Sequence, residues 1–228
     1  MTAAHNTLGD FLGQGVALAH ADLRLACIDA HPEELKYVQQ AVESRKREFH
    51  AARACARQAM GLLGEPPVAI PAASDRSPVW PPHLIGSISH CATFCLAVVA
   101  RKGENYAAIG VDVEPAEDLP VELIDAICSP REMAALDEKP REHRLLWARI
   151  LFSAKEAVYK CQYPLTGTML DFQDLEVTLA DTCFQAKLQR QAGMFGKGSI
   201  LEGRVAFAQD CIVTGVTVPL AGLGSLTA

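Results

Sequence analysis

The stretch "AAIGVDVEP", residues 107–115, constrains the fold more than any other part of the chain. Val111 and Val113 alternate with Asp112 and Glu114, which is the pattern of a β-strand. Because side chains two residues apart in a strand point to the same side, the two carboxylates lie side by side, about 6.8 Å apart along the chain. Like charges at that distance repel each other. The strand therefore either turns both carboxylates to solvent, as is usual for Asp and Glu, or holds them around a positive group.

Composition and charge narrow the class of protein. The 228 residues are 50% hydrophobic, which is enough for the core of one large domain or two small ones. With 21 basic against 27 acidic residues the formal charge is −6, so we expect no nucleic-acid partner, which would need a broad basic surface. The segment before Arg24 lacks the basic and apolar parts of a signal peptide, and no run approaches the ~18 apolar residues of a membrane span. We expect a cytoplasmic protein that does not bind membranes.

The eight cysteines are scattered along the chain. Cys91 and Cys95 are close, and His90 adjoins them, but no second pair completes the spacing of a zinc site. We therefore expect reduced thiols that are mostly buried and act as small apolar residues.

The first half of the chain predicts one long helix and three strands. Residues 33–63 are rich in helix formers, begin after Pro32 and end at Gly64. A proline-rich loop follows, then "LIGSISH" (84–90) opens a β region, in which the glycine places "GSISH" (86–90) on a turn. "TFCLAVVA" (93–100) reads as an apolar strand, and Gly103 predicts that it forms a hairpin with the strand at 107–114.

The second half predicts helices followed by strands. A helical region covers about 119–161, with its second helix between Pro140 and Pro164, and short strands follow from 175 to 218. Two such batches of helix and strand indicate an α+β protein of two halves, about 1–113 and 114–228, within one domain. The core face of the second helix consists of residues at helical spacing: Trp147, Ile150, Leu151, Ala154 and Val158.

"FSAKEAVYK" (152–160) offers a third carboxylate. Glu156 lies about 140° round the helix from Leu151, off the apolar stripe, between Lys155 and Lys160. One interpretation is an ordinary ion pair of Glu156 with Lys160, worth about 0.3 kcal/mol. The other is a ligand for a hard cation such as magnesium, which prefers oxygen ligands and uses a few carboxylates with substrate phosphates.

Two further motifs offer groups for phosphate. Ser87, Ser89 and His90 can donate to phosphate oxygens, although for this motif taken alone ordinary turn chemistry is the favoured interpretation. Arg45 and Arg53 are eight residues apart, or about 80° net on a helix, so both can serve one side. The guanidinium fork suits a terminal phosphate, and the alternative is a solvated basic face.

Taken in order, the motifs "RKREFHAARACAR", "SDRSPVWP", "GSISH", "GVDVE" and "FSAKEAVYK" resemble those of the 4′-phosphopantetheinyl transferases of the large monomeric type. The resemblance covers roughly residues 35–170. Phe152 stands where the surfactin-type enzymes carry tryptophan, which places the chain nearer the enzymes that activate enterobactin synthetase. The resemblance implies two similar α/β halves related by a pseudo-twofold, with coenzyme A in the cleft between them.

The resemblance also implies the reaction, the metal and the partners. Phosphopantetheine passes from coenzyme A to a serine of an apo acyl, peptidyl or aryl carrier protein, which gives holo carrier protein and 3′,5′-ADP. Such carriers serve nonribosomal peptide, siderophore, polyketide or fatty acid synthesis. The implied ion is magnesium, with manganese as the alternative, and the implied state is a monomer.

Residue by residue, the motifs assign roles only through the resemblance. The acids that bind magnesium are Asp112, Glu114 and Glu156, and the residues that bind the 3′-phosphate are Arg45 and Arg53. The other phosphates of coenzyme A are bound by Ser89, His90, Lys155 and Lys160. The loop at the adenine end of coenzyme A carries Ser74, Asp75 and Arg76. Asp112, His90, Lys155 and Glu156 form the catalytic set, with Glu156 or a metal-bound water as the base. The competing interpretations are an inactive carrier- or nucleotide-binding scaffold and another magnesium-dependent transferase that cleaves a diphosphate.

Overall fold

The computed structural model describes residue 8, residues 11–25 and residues 29–222. The expectations about the first residues of the chain and about Cys27 fall largely outside that part. Within it, no helix is both long enough and apolar enough to pass through a bilayer. The elements in chain order are β1 (Val16–Asp22), α1 (Glu43–Leu62), β2 (Leu84–His90), β3 (Phe94–Arg101), β4 (Tyr106–Pro115), α2 (Ile124–Ile127), α3 (Pro130–Asp137), α4 (Arg144–Thr166), β5 (Leu175–Leu179), β6 (Cys183–Leu188), β7 (Ile200–Ala208) and β8 (Cys211–Pro219).

Two antiparallel sheets, each packed against one long helix, confirm the predicted α+β fold of two halves. The first sheet has the order β1-β3-β2 and packs against α1, whose alanines lie against the buried strand β3. The second has the order β4-β8-β7-β6-β5 and packs against α4. The core face predicted for α4 is buried at Ile150, Leu151, Ala154 and Val158, and Trp147 is partly covered.

Strand β4 belongs to the second sheet, so the predicted hairpin between residues 93–100 and 107–114 is wrong. β3 pairs with β1 and β2, whereas β4 pairs with β8 from Ala108 to Pro115. The change of sheet falls in the turn at residues 102–105, before β4. Gly110 makes this packing possible, since a Cβ there would lie 2.2 Å from the carbonyl oxygen of Ala157 in α4.

The two halves meet where β2 runs beside β4. Strand β2 is "LIGSISH", which confirms the predicted β region, whereas the turn predicted at "GSISH" is wrong. Its serines supply acceptors to the free edge of β4: the Val111 N–H donates to Ser87 Oγ at 3.0 Å and the Val113 N–H donates to Ser89 Oγ at 3.2 Å. The two sheets are thus joined here by hydrogen bonds to serine side chains, in place of the backbone hydrogen bonds that join paired strands.

The helix boundaries differ from the prediction at both long helices. Residues 32–37 form a separate 3₁₀ turn before α1, because the fully buried Glu34 folds back to pair with Arg57 at 2.7 Å. α4 begins at Arg144, and Pro164 lies inside its last turn instead of closing it.

Candidate active site

Asp112 is the centre of a buried polar cluster between β2, β4 and α4. Its residue is only 3% exposed. Oδ1 accepts from Ser89 Oγ at 2.9 Å and from Lys160 Nζ at 2.6 Å. Oδ2 is buried without a hydrogen-bond partner among the described residues. A buried carboxylate oxygen with no partner is costly, so this atom is arranged for a group that the protein itself does not supply.

Glu114 lies two residues further along the same strand and is paired with Arg149. Arg149 Nη1 donates to Glu114 Oε2 at 2.9 Å, and the same guanidinium donates to the carbonyl oxygens of Glu117 and Asp118. Burial, and then the negative charge of Asp112, raise the pKa of Glu114 to about 7 despite the arginine.

Glu156 is half-buried on α4. Burial raises its pKa, the negative charge of Asp112 raises it further, and Lys160 opposes both. Lys160, four residues further along the helix, donates hydrogen bonds to Asp112 and Ser89. All three predicted acids thus border one desolvated region.

These acids fit a cation that needs few protein ligands. Among the described residues no three His, Cys, Asp or Glu side chains form a closed metal cage, and Glu114 is turned towards Arg149. The free Oδ2 of Asp112 beside two further acids nevertheless matches magnesium, which takes one or two carboxylates and completes its shell with water and substrate phosphates.

Arg45 and His90 form the second polar group, at the end of β2. Arg45 Nη1 lies 2.7 Å from His90 Nε2 and 3.3 Å from Glu48 Oε2. Burial, and then the charge of Arg45, lower the pKa of His90, so the ring is neutral at pH 7 and Nε2 accepts from the arginine. About half of the Arg45 side chain is exposed, which leaves guanidinium N–H groups for an anion.

Arg53 is buried behind this pair. Its Nε donates to the carbonyl oxygen of Ile70 at 3.0 Å, and its guanidinium lies 4.3 Å from the ring centroid of Phe49. Burial lowers its pKa to about 10, which keeps it charged at neutral pH. The small residues around it, Ala52 and Ala56, are buried core residues.

A cleft of ≈ 580 Å³ opens between the halves beside the Asp112 cluster. Ser87 and Lys160 line it from the cluster, and Asp75 and Arg76 line it from the proline-rich loop. Asp75 Oδ2 accepts from Tyr163 OH at 3.0 Å, which ties this loop to α4. Ser74 is exposed next to the cleft but is not part of its wall.

Lys155 is not in the site, which corrects the prediction that it binds phosphate. Its side chain is 0% exposed, and Nζ bonds Glu132 Oε2 at 2.8 Å and the carbonyl oxygens of Ile127 and Phe172. Helical geometry turns it about 100° from its neighbour Glu156, into the core of the second half.

By analogy with the family, residues 119–139 are expected to form a carrier-docking surface with Leu119, Leu123 and Ile127 as its apolar residues, and the structure changes this expectation. Leu119 and Ile127 are buried at 1% and 2% exposure, so they cannot meet a partner. Leu123 remains 42% exposed, and its neighbour Val121 is 65% exposed.

The residues that sequence reasoning missed, Arg149 and Tyr163, share one face of α4 with the predicted Glu156 and Lys160. Arg149, Glu156, Lys160 and Tyr163 follow one another at spacings of seven, four and three residues, which keeps them on one helix face. This polar stripe, opposite the apolar one, was readable in the sequence. Trp80, whose ring lies against Gly86 in the cleft wall, carried no such signal.

Comparison with known proteins gives two adjoining family matches. Residues 33–100 match the 4′-phosphopantetheinyl transferase N-terminal domain, and residues 108–197 match the 4′-phosphopantetheinyl transferase superfamily. The 4′-phosphopantetheinyl transferase Npt of Nocardia iowensis is 41% identical over 66% of this chain and 67% of its own length. Svp of Streptomyces mobaraensis is 38% identical over 82% of this chain and 78% of its own length. Enterobactin synthase component D of Escherichia coli K12 is 36% identical over 60% of this chain and 64% of its own length.

Proposed function

Because the chain belongs to the 4′-phosphopantetheinyl transferase superfamily, we propose that it transfers phosphopantetheine from coenzyme A to a serine hydroxyl of an apo carrier protein, releasing 3′,5′-ADP. The observation that carries the proposal is Asp112, a buried carboxylate with one unpartnered oxygen, next to two further acids and a lysine at the edge of a large cleft. Such a site suits a substrate that brings a cation and phosphates together.

Coenzyme A is held in this proposal at two places. Arg45 and Arg53, with the neutral His90 aligning Arg45, receive the 3′-phosphate at the end of β2. The cleft between Arg76 and Lys160 receives the body of the ligand, and Lys160 supplies positive charge to the diphosphate.

Asp112, through its free Oδ2, would hold magnesium, or manganese in its place, and Glu156 and Glu114 would be the further oxygen donors. When bound, the ion neutralises charge on the diphosphate. Arg149 keeps Glu114 oriented, and Ser89 with Lys160 fixes the other oxygen of Asp112.

Glu156 is the candidate base for the carrier serine. A carboxylate whose pKa is raised towards neutrality is a better proton acceptor at physiological pH than an ordinary glutamate. Lys160 and His90 stabilise the charge that develops on the phosphate oxygens. Lys155 takes no part, since it lies in the core.

We propose carrier proteins of the acyl or peptidyl class as partners, meeting the enzyme near the exposed Val121 and Leu123. We propose a monomer that acts in the cytoplasm. The seven cysteines in the described part of the chain are unbridged, which suits a reducing compartment.

The test is incubation of an apo carrier protein with coenzyme A and magnesium, followed by intact mass spectrometry of the carrier. We expect a gain of one phosphopantetheine group, which disappears with Asp112→Asn but not with the exposed matched control Asp118→Asn. No gain with the wild-type protein, on carriers that a known transferase modifies, would support the inactive scaffold. Cleavage of coenzyme A without a gain in carrier mass would support a different diphosphate-cleaving transferase.

A further inference from the structure

Two thiols from different halves touch at the edge of the candidate site. Cys91 directly follows β2, and Cys211 opens β8. Their Sγ atoms are 3.5 Å apart, and Thr93 Oγ1 lies 3.7 Å from Cys91 Sγ. Both side chains belong to the apolar cluster where the two sheets face each other.

A second thiol pair shows what is particular about this one. Cys55 and Cys95 lie at nearly the same separation, 3.6 Å, but both are sealed within the first half at 2% and 0% exposure. Cys91 in contrast is partly exposed, while Cys211 is buried at 1%. One accessible thiol in contact with one protected thiol is the arrangement of an attacking and a resolving cysteine.

The thiolate of Cys91 is favoured by its surroundings. Its pKa is lowered chiefly by the hydrogen bond from Cys211 and further by the N–H of Thr93, against the opposing effect of burial. Oxidation starts from the thiolate, so this environment directs an oxidant to Cys91.

The position of the pair links it to the site. Cys91 adjoins His90, and Cys211 pairs in register with Pro115, the residue after Glu114. A bond between the two sulfurs would join the end of β2 to the strand that supports β4. Closing their separation to the ~2.05 Å of a disulfide moves one or both of these ends by about 1.5 Å in total.

We propose that Cys91 and Cys211 are an oxidative modification site, at which a peroxide forms a disulfide that staples the two halves together and slows transfer; the effect on transfer rests on the proposed function. The Cys91 thiolate attacks hydrogen peroxide, which gives a sulfenic acid and, with one proton, water. The Cys211 thiol displaces the hydroxyl of the sulfenic acid, which forms the S–S bond and releases a second water. The two thiols lose two electrons and the peroxide gains them.

The experiment treats the full chain with hydrogen peroxide, quenches free thiols with an alkylating agent and maps peptides under non-reducing conditions. We expect a Cys91–Cys211 cross-link, a loss of about 2 Da for the two hydrogens, and reversal by dithiothreitol. The bridge closes a long loop, so the Tm should rise on the order of 5–10 °C. Transfer to the carrier should fall at least about tenfold, because displacements near 1 Å in an active site are costly.

Matched variants test whether the cross-link depends on Cys91 and Cys211. Cys183→Ser removes an exposed cysteine away from the site and should leave the cross-link unchanged. Cys91→Ser should abolish the cross-link and the Tm shift, and Cys211→Ala should instead leave a sulfenic acid on Cys91 that dimedone traps. An unmodified Cys91 in oxidised wild-type protein would overturn the site, and mass mapping shows this whether or not the protein is a transferase. A full cross-link with an unchanged transfer rate would overturn the effect on the active site.

Discussion

At the scale of single residues, the candidate site contains polar atoms that are held by hydrogen bonds within the protein and polar atoms that are left to bind a ligand. Asp112 Oδ1 is fixed by two donors while Oδ2 has none in the described structure. Arg53 is fixed to the Ile70 carbonyl, while Arg45 has N–H groups free to meet a ligand. The available atoms are where ligands are expected, and the anchored ones hold the geometry.

Arg45→Gln should weaken the binding of coenzyme A far more than the binding of 3′-dephospho-coenzyme A, because the lost contact is a charge-assisted pair worth about 1.5–3 kcal/mol. Calorimetry with both ligands measures the difference. Lys46→Gln, on the neighbouring residue that pairs with Glu43, is the matched control and should bind both ligands like the wild type. Equal losses for the two ligands would place the 3′-phosphate away from Arg45.

Glu156→Gln should leave coenzyme A bound by Arg45, Arg53 and His90. Single-turnover transfer should fall by about 10²–10⁴-fold if Glu156 is the base, since a positioned general base contributes that much. If the rate returns at higher magnesium concentration, Glu156 is only a ligand. A rate near that of wild type would leave the helical ion pair with Lys160 as its sole role.

The raised pKa of Glu114 predicts a pH dependence of stability. Between its ordinary value of 4.5 and about 7, the folded protein keeps a proton on Glu114 that the unfolded chain has lost. Without divalent cations, the Tm of wild type relative to Glu114→Gln should therefore fall as the pH rises from about 5 to about 8. Magnesium needs the deprotonated acids, so its stabilising effect in the same scans should grow with pH. A Tm difference that is flat over this range would contradict the raised pKa.

At the scale of elements, α4 divides its polar residues between two tasks. The stripe from Arg149 to Tyr163 faces β4 and the cleft, whereas Lys155 enters the core of the second half. There Glu132 also accepts from the N–H groups of Ser129 and Val177, so one buried ion pair holds α3, α4 and β5 together.

Lys155→Met should destabilise the protein by about 3–5 kcal/mol, since it leaves the Glu132 carboxylate buried without a counter-ion. The Tm in thermal unfolding should fall by about 10 °C. Adding Glu132→Leu should recover part of that loss, and the folded double variant should transfer phosphopantetheine at close to the wild-type rate. If Lys155→Met kept full stability but lost transfer, Lys155 would have a role in the active site.

At the scale of the whole molecule, the two halves depend on the serines of β2. Ser87 and Ser89 accept the N–H groups of Val111 and Val113, so β4 has its outer edge satisfied by the other half. Ser89 alone also donates to Asp112. The junction between the halves and the active site thus share one residue.

Ser87→Ala should lower the free energy of unfolding, measured by chemical denaturation, by about 1–3 kcal/mol, since it leaves the buried Val111 N–H unpaired. Its transfer rate should fall less than that of Ser89→Ala, because Asp112 accepts its hydrogen bonds from Ser89 and Lys160 in the described structure. Ser89→Ala should cost a similar amount and also slow transfer, since Asp112 loses a donor. Equal transfer rates in Ser87→Ala and Ser89→Ala would show that the hydrogen bond from Ser89 to Asp112 does not contribute to activity.

The sequence alone determined the strand at 107–115, the helix carrying Glu156 and the α+β class, because these depend on local periodicity and motif. It predicted a hairpin and a turn where there are none, since pairing between β4 and β8 depends on residues about a hundred positions apart. Whether a lysine of "FSAKEAVYK" faces phosphate or the core was decided only by the tertiary structure. Glu132 is 23 residues from Lys155, and only folding brings the two charges to 2.8 Å in the buried core. The pairing of Glu114 with Arg149 and the contact of Cys91 with Cys211 have the same origin, because both join separate parts of the chain.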